Sequence, residues 1–238
     1  MSAIVEKRGI DSFSLKIIAI IVMTCCHVAI TFDESLPFCI MLALNTIGGL
    51  TFPIMAYLVV EGYHKTSNIR KYLLRVLIFG LISSPPAYVI LGSFSVLLTL
   101  LSGLICLLLH DRLNNRLLFW LCFIGMTLVT ILFDWSLIGV PLIFAYGTVK
   151  GEKRRVVLPT IFVLLIGLLL TGVLDVLREG WSLQLVIDSC FMLAGICTIP
   201  LLLLYNGKRG YNPKSLRYLF YIYYPLHLSV LWGLKWLI

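Results

Sequence analysis

Ile17-Ile18-Ala19-Ile20-Ile21-Val22-Met23-Thr24-Cys25-Cys26-His27-Val28-Ala29-Ile30 carries no charged side chain. Extended to 13–32 it admits one charge, Lys16, and as a helix it is long enough to cross a hydrocarbon core of about 30 Å. Lys7 and Arg8 precede the run and Asp33-Glu34 follow it. The basic flank imitates a signal peptide, but no A-x-A-like site closes the run, so it reads as an uncleaved first span. Eight further runs repeat the pattern, at 38–60, 72–92, 94–110, 117–133, 136–149, 156–174, 181–205 and 218–238. The run 136–149 is short and holds Gly139, Pro141 and Gly147.

Composition agrees. Of 238 residues, 60% are hydrophobic and 13% charged, and the mean hydropathy is +1.02. A soluble domain carries about 25% charged residues, so this chain cannot coat a globule in water. A soluble enzyme, a disordered chain and a disulfide scaffold are excluded. The expected fold is all-α: one integral membrane domain over 1–238, a bundle of about nine transmembrane helices. The expected location is the cell membrane, multi-pass, in a bacterial inner membrane. The seven cysteines lie in or beside apolar runs without CxxC pairs or a zinc pattern with His, and read as small core hydrophobes. No metal site and no nucleic-acid partner is expected.

The net charge of +8 is read by position. With the N-terminus cytoplasmic, the inner connections hold 17 of the 19 basic residues, leaving Arg178 and Lys235 outside. Asp33, Glu34, Asp134, Asp175 and Glu179 fall on the outer side. The short run at 136–149 is needed for this pattern, because without it Lys150 to Arg155 would lie outside. No internal repeat of the transporter kind is visible.

Ionisable groups inside spans are functional candidates. Thr24, His27 and Thr31 follow at i, i+3 and i+7 and make one polar stripe. His27 lies 12 residues beyond Leu15, about 18 Å along a helix, in the outer half. A neutral imidazole there can take a proton or attack as a nucleophile; it can also simply hold two helices together. Ser95, Thr99, Ser102, Cys106 and His110 share a face that either lines a cavity or packs on a neighbour. Gln184 pairs with Asp188, Thr171 with Asp175 and Tyr224 with His227 by spacing. Near Ser67 or Asn68, a plausible N-cap, stand Arg70, Lys71 and Arg75. Topology alone explains these cations, or a phosphate sits among them.

Several stretches resemble the TraX family, named for a conjugation protein implicated in N-terminal acetylation of pilin. Leu15-Lys16-Ile17-Ile18-Ala19 with Met23-x-x-Cys26-His27 is similar to LKxIA…MxxDH. Ile47-Gly48-Gly49-Leu50-Thr51-Phe52-Pro53-Ile54, Glu61-Gly62-Tyr63, Thr66, Asn68, Lys71-Tyr72, Arg75 and Ile82-Ser83 resemble a second, longer run. Tyr205 to Gly210 and Phe220 to Leu228 resemble YNGKRG…FYxFYPLHL. The resemblance implies a membrane acyltransferase using acetyl-CoA, with the lipid bilayer as its surrounding. It implies His27 as catalytic position and Arg75 with Lys71 on the CoA phosphates. Glu61 and His227 match family positions, and Asp188 is a further candidate. Two residues depart: the acid before the His is Cys26, and the Arg of IGR is Gly49. An orienting carboxylate is thereby lost. Cys26 as a thiol nucleophile is disfavoured, since adjacent helical residues point about 100° apart.

Two functions are thus carried forward. One is acetyl transfer from acetyl-CoA to an amine or hydroxyl of a protein, peptide or glycan. The other is a non-catalytic membrane factor for pilus or peptide assembly or export. A small transporter finds no repeat and no charged pathway in its favour.

Overall fold

Short polar side chains set many of the helix starts. The computed structural model of the chain describes residues 9–211 and 213–237, apart from the side chains of 179 and 214–218. Among the described residues are eleven α-helices and no named strand. α1 (Ser12–Thr31) starts behind Asp11, which accepts the Ser14 N–H at 2.8 Å. That bond holds the Asp11 carboxyl below its ordinary range. α2 (Phe38–Gly48) and α3 (Thr51–Lys65) follow. α4 (Ile69–Leu91) is capped by Asn68, which accepts the Lys71 N–H at 3.0 Å. α5 (Val96–Arg112) and α6 (Arg116–Val129) are capped by Ser95 and Asn115. Then come α7 (Ser136–Thr148), α8 (Arg154–Glu179), α9 (Leu183–Ile196) behind Ser182, α10 (Thr198–Leu203) and α11 (Lys214–Lys235).

Two of the expected runs are not continuous. The run 38–60 divides between α2 and α3 at Gly49–Leu50, and 181–205 divides between α9 and α10 at Cys197. Each second half has a proline as its third residue, Pro53 and Pro200. There the missing N–H costs nothing, whereas a helix running through would press the ring on the carbonyl four residues back. Close approach fixes the first break. A Cβ at Gly48 would stand 2.3 Å from Cys26 Cβ, and one at Gly49 would stand 2.0 Å from the Phe191 carbonyl oxygen. Small residues let α1, α2 and α9 meet, as in lipid-embedded helix packing. The Arg that the family motif carries at position 49 has no room here.

Five helical stretches are long and apolar enough to cross a membrane, counting α2 with α3 and α9 with α10. Ile21, Leu117, Leu169 and Leu177 turn outward, as a surface in contact with acyl chains requires. α3 is the innermost helix: Phe52, Ile54, Ala56 and Val60 are wholly buried against α1, α5 and α7. α4 packs on α11, and α8 on α9.

Connections gather at two ends. At one, Ile10 N donates to Leu204 O (2.9 Å), Lys65 Nζ to Gly207 O (2.9 Å) and Arg155 to Glu61 (2.8 Å). The basic residues Lys65, Arg155 and Arg209 share this end. At the other, Asp134 N donates to Phe94 O (2.9 Å) and Thr99 Oγ1 to Asp134 O (2.6 Å). Lys7 and Arg8, with the side chains of Lys214, Arg217 and Glu179, lie outside the described residues, as does Ile238 at the end of the last run.

Candidate functional site

A cavity of about 570 Å³ runs inside the bundle along α1. Lys16, in the second turn of α1, lines it, and so does His27. Eleven residues of helix separate them, about 16 Å. The cavity therefore extends from the basic end toward the far end of the bundle.

At the basic end its wall carries Lys16, Lys65, Arg75 and Arg209 among the rings of Phe13, Tyr72, Tyr205 and Tyr221. Lys65 is already held by Glu61 (2.7 Å) and the Gly207 carbonyl. Glu61 also takes Arg155 at 2.8 Å, and Arg155 lies 4.9 Å from the Tyr57 ring centre. Glu61 is thus an ion-pair post joining α3 to α8. Arg75 differs. Its guanidinium sits between Tyr72 and Tyr221, at 5.9 and 5.5 Å from their ring centres, and its buried Nε has no hydrogen-bond partner. Aromatic faces attract a guanidinium but do not neutralise it. A buried donor without an acceptor is costly, and the guanidinium keeps its charge uncompensated by any carboxylate the structure pairs with it. Lys71, one turn earlier, is exposed and not on the cavity wall. Of the expected pair, then, Arg75 lies on the cavity wall, beside Lys16, Lys65 and Arg209.

His27 is buried midway. Its Nδ1 lies 2.7 Å from Nε2 of His227 on α11, and His227 Nδ1 lies 2.9 Å from the Tyr223 carbonyl oxygen. Thr24 Oγ1 meets Tyr223 Oη at 2.7 Å, and Thr31 Oγ1 donates to the His27 carbonyl at 2.6 Å. Thr24 and His27 of the polar stripe thus dock on α11, while Thr31 bonds back to α1. His27 Nε2 has no hydrogen-bond partner among the described residues, and the residue lines the cavity. Cys26 lines it too, packed on Gly48. The 100° between adjacent residues does not take Cys26 off the wall, because the cavity is wide enough to span both directions. The α5 face is different. Ser95, Thr99 and Ser102 engage Ser83, the Asp134 carbonyl and the Leu98 carbonyl, so that face packs and does not line the cavity.

The far end holds Asn45, Asp134, Trp135, Gln184 and Asp188. Gln184 Nε2 donates to Asp188 at 3.0 Å. Trp135 has φ 63° and Ser136 φ 23°, left-handed values that ordinary side chains rarely adopt. Stacking of Trp135 on Phe52, with ring centres 4.5 Å apart, and the Thr99 bond hold the strained loop. Asp134 and Trp135 were legible only as a connection between apolar runs. Burial pushes the Asp134 carboxyl up to about 6, partly offset by the Trp135 N–H at 2.9 Å. Between the ordinary value of 3.8 and about 6, the folded chain therefore holds a proton that the unfolded chain lacks. Stability conferred by this group rises as pH falls from 6 to 4 and is flat below. The thermal midpoint of Asp134→Asn protein should lose that slope and exceed the parent's at pH 8. Equal slopes in parent and variant would show that Asp134 is not the titrating group.

The family model described as TraX protein matches residues 12–235. The chain is 33% identical over 251 aligned positions to the "Probable fimbrial assembly protein FimC, serogroup H1" of Dichelobacter nodosus, covering 96% of this chain and 98% of that protein. No solved structure matches the chain.

Proposed function

The chain belongs to the TraX family, and from that premise we propose that it is an integral membrane acyltransferase moving an acetyl group from acetyl-CoA to an amine or hydroxyl. The observation that carries this is one continuous cavity with four cationic side chains at one end and the His27 imidazole on its wall further in. Arg75, Lys16, Lys65 and Arg209 would hold the phosphates, and the donor supplies an activated thioester carbonyl. His27 Nε2 takes the proton of the acceptor X–H as X bonds to the carbonyl carbon. The C–S bond breaks, and the same imidazole returns the proton to sulfur. Loading takes place from the basic side, which is cytoplasmic in this reading.

The topology proposed with it has nine crossings, N-terminus inside. The gathering of basic side chains at one end of alternating helices supports it. Reporter fusions at Arg155 and Arg178 should then fall on opposite sides of the membrane. A cytoplasmic signal at Arg178 would overturn the orientation.

A second reading is favoured by the name of the relative, a fimbrial assembly protein, and by Cys26 in place of an acid. Here the chain assists assembly of a pilus without chemistry. Membranes incubated with labelled acetyl-CoA separate the two: label transferred to a protein, peptide or glycan supports the enzyme, and its absence supports the assembly factor.

A further inference from the structure

His27 and His227 meet with ring planes 11° apart, ring centres 5.0 Å apart and nitrogens at 2.7 Å. That is closer than two stacked rings can approach, so the contact is a hydrogen bond made edge to edge, Nδ1 of one to Nε2 of the other. Its direction follows from the next bond in the chain. The Tyr223 carbonyl has no proton, so His227 Nδ1, 2.9 Å away, must be the donor. A neutral imidazole has one N–H, which leaves His227 Nε2 bare and accepting. The proton between the rings therefore sits on His27 Nδ1. His27 Nε2 is left with a free lone pair, on the only ring edge not taken by α11. Tyr223 holds the assembly from behind: its ring lies parallel to His227, with centres 5.0 Å apart, and its hydroxyl bonds Thr24 on α1.

We propose that His227 is a positioning residue that fixes His27 as the Nδ1–H tautomer and aims its bare Nε2 into the cavity. The structural half of this stands on the bonding geometry; its consequence for rate rests on the acyltransferase reading. A carboxylate in the place of Cys26 is not required for orientation, because a neighbour on another helix supplies it. The same lone pair would be lost if His27 carried its proton on Nε2, and the imidazole could then donate to an acceptor but not deprotonate it.

The test uses the full chain in lipid bilayers with 15N-labelled histidine. The four histidines, His27, His64, His110 and His227, are told apart by single substitution. The parent should show His27 protonated at Nδ1 and bare at Nε2. His227→Leu, which keeps bulk and removes the acceptor, should shift His27 toward the Nε2–H form. It should lower the turnover rate on the order of 10²-fold with donor KM unchanged. His227→Gln places a carbonyl oxygen near the lost Nε2 and should restore the tautomer and most of the rate. His27 found as Nε2–H in the parent, or unmoved in His227→Leu, overturns the proposal. The expected tautomers in a chain that transfers no acetyl group would uphold the geometry and count against the enzyme reading alone.

Discussion

His27→Ala protein should lose acetyl transfer by about 10²–10⁴-fold while remaining folded in the membrane. On the acyltransferase reading the loss belongs to general-base catalysis: Nε2 is the imidazole nitrogen of His27 with no hydrogen-bond partner among the described residues, and the residue lines the cavity. The variant also strips His227 Nε2 of its donor, which costs about 1–3 kcal/mol of stability for an unsatisfied buried group. Activity must therefore be expressed per folded molecule. His27→Gln separates the effects further, since its amide can still donate to His227 but cannot act as a base at neutral pH. Both variants should be inactive, and the Gln variant the more stable. If His27 only joins α1 to α11, stability falls by on the order of 1 kcal/mol and rate per folded molecule is kept. A His27→Gln protein with full acetyl transfer would end the general-base assignment and leave the acyltransferase reading without His27.

The parts legible in the sequence were those that lipid imposes locally. A helix that must satisfy its own backbone announces itself as an apolar run, so the helix positions follow the runs closely. Asn68 was readable as a cap because its role spans three residues. The break at Gly49 was not readable, because it depends on the Phe191 carbonyl of a helix far along the chain. His27 was readable as an ionisable group inside a span. The bond to His227 joins positions 200 residues apart, and no local spacing encodes it. The cations of the cavity wall were only partly readable, for a related reason. Lys71 and Arg75 share a helix face by spacing, but only Arg75 lines the cavity, whose other cations come from α1, α3 and the loop before α11. Each of those reads in sequence only as topology. Asp134 reads as an acid in a short connection; its role at the cavity depends on a strained turn held by Thr99 and Phe52.

The same geometry predicts the largest effect at the donor end. Arg75→Ala should raise the KM for acetyl-CoA roughly 10- to 100-fold, the range of one charge-assisted hydrogen-bonding group at about 1.5–3 kcal/mol. Three features single it out among the four cations. Lys65 is shared between Glu61 and the Gly207 carbonyl, Arg209 reaches the Lys65 carbonyl, and Lys16 lies 5.2 Å from the Phe220 ring centre. Arg75 has two tyrosine faces and a buried Nε with no acceptor. The tyrosines hold the guanidinium plane in place before any ligand arrives, which limits the entropy lost on binding. Arg75→Lys should recover little, because an ammonium keeps the charge but loses the planar fork that takes two phosphate oxygens. The discriminating substrate is an acetyl thioester without the nucleotide, such as acetyl-N-acetylcysteamine. It reaches His27 without using the basic end, so parent and Arg75→Ala protein should turn it over equally. A variant that loses activity equally on both donors has a damaged bundle and not a missing phosphate contact. A variant with unchanged acetyl-CoA affinity removes Arg75 from the donor site. Raising salt should weaken acetyl-CoA binding more in the parent than in the variant, since the parent presents one more cation to the donor's phosphates.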